Sequence, residues 1–199
     1  MRNQLTHPEG PWKIAWERAR DIPGSFTQLS CAALWRNIVC VGPTATVVEV
    51  GVDQGRSASI MMEALNGTMA ELFLFDSWES VLVENYGKVH KLRDQFQELL
   101  CYIERETSLE ASEHFEPESI DLIHIDANHY APNPENDLIA WLPKVKKGGT
   151  ILMHDYDPTW PDVVHAVDKH MKDYGHIGCW DSLVVKRKHP LPPILRGPR

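Results

Sequence analysis

The sequence predicts an α/β fold: one mostly parallel, seven-stranded sheet with helices on both faces and an antiparallel hairpin at its edge. Three observations carry this. Thr46 to Leu65, TVVEVGVDQGRSASIMMEAL, reads as strand, tight glycine turn and helix. Short apolar runs ending in an acid or a histidine recur at Glu71 to Asp76, Ile120 to Asp126 and Thr150 to Asp155, with helical patterns between them. The 199 residues hold no internal repeat and suit one domain with a sizeable core. Alternating strand and helix give the doubly wound, Rossmann-like arrangement, in which ligands bind beyond the carboxyl ends of the strands.

Residues 1–24 are polar and broken by Pro8, Gly10, Pro11, Pro23 and Gly24, so they read as an N-terminal extension. Trp12, Ile14 and Trp16 give it apolar anchors, onto the domain or onto a partner subunit of a homo-oligomer. The domain itself spans 25–188. Phe26 to Val39 has the spacing of a helix, stopped by Gly42-Pro43. Val47-Val48-Glu49-Val50 then reads as a buried parallel strand. Ser57 offers a cap for the helix that carries Ile60, Met61, Ala64 and Leu65, and Gly67 stops it.

A dinucleotide site calls for G-x-G-x-x-G after such a strand. Here the spacing is Glu49-x-Gly51-x-x-x-Gly55, with an acid inside the strand end. That pattern resembles motif I of the class I S-adenosylmethionine (SAM)-dependent methyltransferases. SAM has no pyrophosphate; it carries a sulfonium, an amino-acid tail and a ribose. The resemblance implies that Glu49, Gly51, Val52, Asp53, Gly55 and Ser57 hold SAM. Asp76 closes the second strand, where a carboxylate can accept from two vicinal ribose hydroxyls at once. Ser77 and Trp78 follow it, and Trp78 either shields the adenine or packs in the core. Ser77 to Leu100 reads as loop and helix, with Val89, Leu92, Phe96, Leu99 and Leu100 on its apolar face. A short third strand follows near Leu100 to Glu104. Thr107 and Ser108 come after it, where the resemblance implies contact with the adenine edge.

The segment IDLIHIDANHY places Asp126 at the end of a fourth strand and His129 three residues on. A helix over Glu135 to Leu142 leads to a turn at Lys146 to Gly149. Thr150 to Met153 is a buried strand running into His154-Asp155-Tyr156-Asp157. A helix from Pro161 to Tyr174 turns Val163, Val164, Val167 and Met171 inward. Cys179-Trp180 and Leu183-Val184-Val185 form the closing hairpin. Residues 189–199 are a proline-rich, basic tail. His124, within its strand, is expected to be either a satisfied core histidine or one that backs the site's ligands from behind. His165, His170 and His176 read as surface, and Lys144, Lys146 and Lys147 as a solvated turn.

From Ile22 to Lys186, and most specifically in IDLIHIDANHY and WLPKVKKGGTILMHDYD, the chain looks like the small class I methyltransferases that include metal-dependent sugar O-methyltransferases of macrolide biosynthesis. The resemblance implies a divalent ion, Mg²⁺ or Mn²⁺, held by Asp126 and the His154-Asp155 pair. It also implies that His129 is the general base; read from its place in the loop alone, His129 is equally a histidine that hydrogen-bonds locally or contacts substrate. The departure is His154, where that family has an acid. Mg²⁺ prefers oxygen ligands, so either His154 does not coordinate or the ion is Mn²⁺ or another that accepts imidazole; Asp157, beyond the motif position, is a further carboxylate that could serve. The chemistry suits these residue types. An alcohol is a weak nucleophile at neutral pH, an ion chelated by two hydroxyls acidifies one of them, and histidine titrates near neutrality.

The net charge of −8 argues against nucleic acid as the main partner. No apolar run reaches the ~20 residues of a membrane span. The first residues lack the apolar stretch of a secretory signal, and the four cysteines form no C-x-x-C pair. The expected location is cytoplasmic. The expected activity is SAM-dependent O-methyl transfer to a small hydroxylated acceptor, a sugar or polyol or a catechol-like phenol. An NAD-dependent oxidoreductase and a non-catalytic SAM-fold binding module are the alternatives.

Overall fold

The computed structural model describes residues 10–79 and 83–188. The first nine residues, the loop at 80–82 and the proline-rich tail at 189–199 lie outside the described residues. Seven strands form one sheet: β1 (Thr46–Val50), β2 (Glu71–Asp76), β3 (Leu100–Arg105), β4 (Ile120–Ile125), β5 (Val145–Met153), β6 (Gly175–Trp180) and β7 (Leu183–Arg187). Their spatial order is β3-β2-β1-β4-β5-β7-β6. The first five run parallel, and β7 is antiparallel to both β5 and β6, as the sequence predicts. The order reverses between β1 and β4, so the crevice above those two strands is the natural ligand site.

Helices cover both faces. On one lie α1 (Trp12–Ala19), α2 (Gln28–Val39), α3 (Arg56–Leu65) and α4 (Val83–Arg93). On the other lie α5 (Ser108–Ser112), α6 (Asn133–Trp141) and α7 (Pro161–His170). Because both faces are covered, Val47, Val48, Glu49 and Val50 are all buried. Each large apolar side chain so buried contributes about 1.5–3 kcal/mol. Among the described residues no helix is long and apolar enough to cross a membrane.

Several boundaries differ from the sequence reading. Within the N-terminal extension, α1 buries Ala15 and Ala19 in the same core as α3. Helix α2 starts after Thr27, whose side chain accepts from the Ser30 N–H; Phe26 precedes it as a buried loop residue. The expected cap at Ser57 is not one. Gly55 takes the N-cap position with φ 89°, and Ser57 lies inside the helix, nearly buried, at the edge of the cavity described below. The Lys146 to Gly149 turn is instead the first half of β5, which meets β4 through an irregular register beside Ile120 and Leu122. Lys144 and Lys146 are anchored rather than simply solvated: Lys144 donates to the Phe115 carbonyl at 2.6 Å and Lys146 to Asp121 at 2.8 Å. Helix α4 stops at Arg93, so Phe96 and Leu99 reach the core from a loop, and Leu100 is half exposed as the first residue of β3.

Candidate active site

Backbone hydrogen bonds tie the strand ends together. The Gly51 N–H donates to the Phe75 carbonyl at 2.9 Å, Asp126 to Val50 at 2.8 Å, and His154 to Ile125 at 3.0 Å. The ends of β2, β1, β4 and β5 therefore form one fixed ledge. Above it opens a cavity of about 630 Å³, within the range of small-molecule sites. The turn at Gly51, Val52, Asp53 and Gln54 forms its floor, with Asp76 and Ser77 on one side and Asp126 and His129 on the other. Following the strand order, Thr107 and Ser108 sit past Asp76, at the β3 end.

Asp76 is more occupied than its residue type indicates. Its Oδ2 accepts from the Val52 and Asp53 N–H groups, both at 2.9 Å, and its Oδ1 from the Trp78 N–H at 2.8 Å. A carboxylate offers about four lone-pair positions. Three are used, so the expected grip on two ribose hydroxyls is reduced to one while the turn keeps this form. Asp76→Ala is expected to strip the acceptor from three backbone donors, costing about 1–3 kcal/mol of stability, and to weaken SAM binding at least about tenfold. Calorimetric titration checks this, and unchanged affinity would move the ribose contact elsewhere.

Trp78 does not reach the cavity. It is fully buried, its Nε1 donates to the Asp53 carbonyl at 2.8 Å, and its ring packs on Tyr86. Of the two roles open to it, packing is the one it fills. Asp53, with φ 48°, accepts from Asn85 at 2.8 Å and does line the cavity. Ser108 also lines it, and its Oγ accepts from the Trp141 Nε1 at 2.9 Å.

Glu49 is placed away from the cavity. Glu49 and His124 are neighbours in register on β1 and β4, both with no exposure, and His124 Nδ1 lies 2.9 Å from Glu49 Oε1. Burial pushes the Glu49 carboxyl up, opposed by His124 and by Ser57. His124 is thus a core histidine, as expected, but only half satisfied: its Nε2 and the Glu49 Oε2 are buried without a hydrogen-bond partner.

Asp126, His129, His154 and Asp155 converge. His129 Nε2 lies 3.3 Å from Asp126 Oδ1 and 2.9 Å from Asp155 Oδ2. His154 Nδ1 lies 3.4 Å from Asp126 Oδ2 and 3.3 Å from Asp155 Oδ1. Asp155 takes a left-handed φ of 55° as the chain leaves β5. Burial works to lower both imidazoles, but the two carboxylates outweigh it and raise His129 to about 9 and His154 to about 10. Burial works to raise both acids, and the imidazoles outweigh it: Asp126 and Asp155 are held below the usual carboxylate range. Asp157 stays outside the group, its Oδ1 accepting from the Thr159 N–H at 2.7 Å.

The donor set fits a divalent ion. Asp126, His154 and Asp155 each offer one ligand atom, all within 4.8 Å of one another. The His154 Nδ1 is buried without a hydrogen-bond partner, while its Nε2 sits 3.4 Å from the Ser182 hydroxyl. Without an ion the carboxylates keep a proton on Nδ1; an ion in its place would meet the Nδ1 lone pair, with the other proton on Nε2 accepted by Ser182. Phe26 stacks on the His154 ring at 5.1 Å and 28°. Two carboxylates and an imidazole suit Mn²⁺ or a similar first-row ion better than Mg²⁺.

Over residues 48–156, more than half of the chain, the sequence matches the family model described as a methyltransferase domain. The chain belongs to that family. Its fold is the class I SAM-dependent methyltransferase fold. It resembles a crystal structure from Corynebacterium glutamicum, at 12% identity over 94% of each chain and a TM-score of 0.70. It also resembles the methyltransferase of Podospora anserina bound to S-adenosylhomocysteine (SAH), at 17% identity over 90% of this chain and 88% of that one, with a TM-score of 0.65. An uncharacterized protein of Sinorhizobium fredii is 29% identical over 116 residues, which is 55% of this chain and 13% of that protein's length. The family match sides with methyl transfer over the nicotinamide reading.

Among the cavity residues that escaped the sequence reading are two that carry a titratable or charged group close to the predicted site. Asp137 on α6 lines the cavity beside Ser108, nearly buried, and burial pushes its carboxyl up to about 6. Arg56, the first residue of α3, lines it next to the glycine turn. An acid in the middle of a helix carries no signal in its type, and neither does an arginine at a helix start.

Proposed function

We propose that the chain is a SAM-dependent O-methyltransferase that uses a divalent ion to activate a hydroxyl of a small acceptor, such as a sugar or polyol moiety or a catechol-like phenol. The observation that carries this reading is that one cavity has the glycine turn at its floor and, along one wall, Asp126 and His129, which belong to the acid–imidazole group. When bound, SAM supplies an electrophilic methyl group, and the ion lowers the pKa of a chelated hydroxyl. Val52, Asp53 and Asp76 shape the donor end. Asp126, His154 and Asp155 would hold the ion, and Asp126, which also lines the cavity, would orient the acceptor hydroxyl toward the donor end. His129 Nε2 receives the proton. In the ion-free protein it already bears one, because Asp126 and Asp155 hold it in the charged form, so it becomes a base once positive charge beside those carboxylates offsets them.

The experiment is a methyl-transfer assay of SAM with a panel of vicinal diols, in Mn²⁺ and in chelator. Turnover that needs Mn²⁺ is expected. Turnover indifferent to chelator would sink the ion's role and leave the His129–Asp155 pair as a metal-free base.

A pH dependence follows. Protons on His154 and His129 compete with the ion, so its apparent affinity is expected to rise with pH, about tenfold per unit for each proton displaced, less steeply once His129 titrates near 9 and levelling off once His154 titrates near 10. Mn²⁺ calorimetry at pH 6 and pH 8, in buffers of different ionisation heat, checks this. A flat profile would contradict it.

A further inference from the structure

The wall facing the glycine turn comes from the segment between α1 and α2, where Pro23, Gly24, Ser25 and Phe26 line the cavity. Arg56 fastens it. The Arg56 Nε donates to the Ile22 carbonyl at 2.5 Å, Nη1 to Gly24 at 2.5 Å and to Phe26 at 3.0 Å, and Nη2 to Arg20 at 2.9 Å. Among the described residues Arg56 makes no ion pair, and it is the one arginine or lysine that lines this cavity. A rigid, five-donor guanidinium fork can serve four carbonyls in one short segment; an ammonium cannot.

The other end of the segment reaches the acid–imidazole group. The Phe26 ring stacks on His154 and meets His124 edge-on at 5.5 Å. Next to it the Thr27 hydroxyl bonds Asp181 in the β6–β7 turn and caps α2. Helices α1 and α2 already sit in the core through Ala15, Ala19, Leu34 and Ile38. All four Arg56 bonds go instead to the linker that borders the cavity.

We propose that Arg56 is a positioning residue: it sets the Arg20–Phe26 segment as one wall shared by the donor site and, through Phe26, by the imidazole of the ion site. This rests on the methyl-donor reading above.

The test uses the full chain, wild type against Arg56→Lys, with SAH as the probe in calorimetry and hydrogen exchange followed by residue. Lysine keeps the charge and suits the helix. The expected result is SAH binding at least about tenfold weaker with Tm within about 2 °C of wild type. Exchange is expected to quicken at 20–26 alone, where slowing by SAH is lost. Equal SAH affinity in the two proteins would overturn the proposal. So would a fall in Tm with exchange quickened throughout α1, α2 and α3, which would make Arg56 a folding residue. Arg56→Gln serves the same comparison if the lysine variant does not fold. A wild type that takes up no SAH fails the donor reading itself, and that outcome is distinct from a wild type that binds and a variant that binds equally.

Discussion

Gly51→Ala is expected to abolish SAM binding and to destabilise the domain by at least about 3 kcal/mol. Gly51 has φ +85°, a left-handed conformation that alanine adopts only at a cost. The space is also taken. A Cβ there would lie 2.1 Å from the Asp126 carbonyl oxygen, 2.4 Å from its carbon and 2.7 Å from the Ala127 Cα. All three are backbone atoms of the ledge, so no side-chain rotation relieves the contact. The chain after β4 would have to move, and the Asp126 N–H bond to Val50 would move with it. Denaturant unfolding and SAM calorimetry on the variant read the two effects separately. A variant with wild-type stability and affinity would show that the strand ends are not fixed as described.

Asp126→Asn is expected to weaken Mn²⁺ binding at least about a hundredfold and to remove metal-dependent methyl transfer, while SAM affinity stays within a few-fold of wild type. The effects separate because Asp126 plays two parts. Its backbone N–H ties β4 to β1 and survives the change. Its carboxylate faces His129 and His154 and is one of two anionic ligands in the candidate set. Asparagine keeps the shape but removes the charge that draws in a cation. The same loss lets burial pull both imidazoles back down, so the charge state of His129 should fall toward neutral in the variant. Full metal-dependent activity in Asp126→Asn would sink the ion assignment.

Much of the scaffold was legible because both kinds of pattern were strong. The apolar runs at Val47–Val50, Leu72–Phe75, Leu122–Ile125 and Ile151–Met153 are all strands. Two of them end in Asp76 and Asp126, and the fifth strand runs on to His154 and Asp155, where the group was expected. What failed was local geometry. Ser57 looked like a cap because serine caps helices, but a left-handed Gly55 already ends the turn, and the serine faces the buried Glu49. Asp76 looked free for a ribose, but its position makes it the acceptor for three nearby backbone N–H groups. Glu49 fits motif I by spacing, yet a strand residue in register with His124 must face inward with it. Arg56 and Phe26 act through partners in a loop, and loop partners leave no periodic trace in sequence.

The measurement that bears most directly on the proposed function is calorimetric titration of SAM into the full chain, with and without Mn²⁺. Micromolar SAM binding is expected in both conditions, with a separate heat of Mn²⁺ binding that Asp126→Asn removes. Absence of SAM binding in both conditions would contradict the methyltransferase reading and favour a non-catalytic binding module on the same fold.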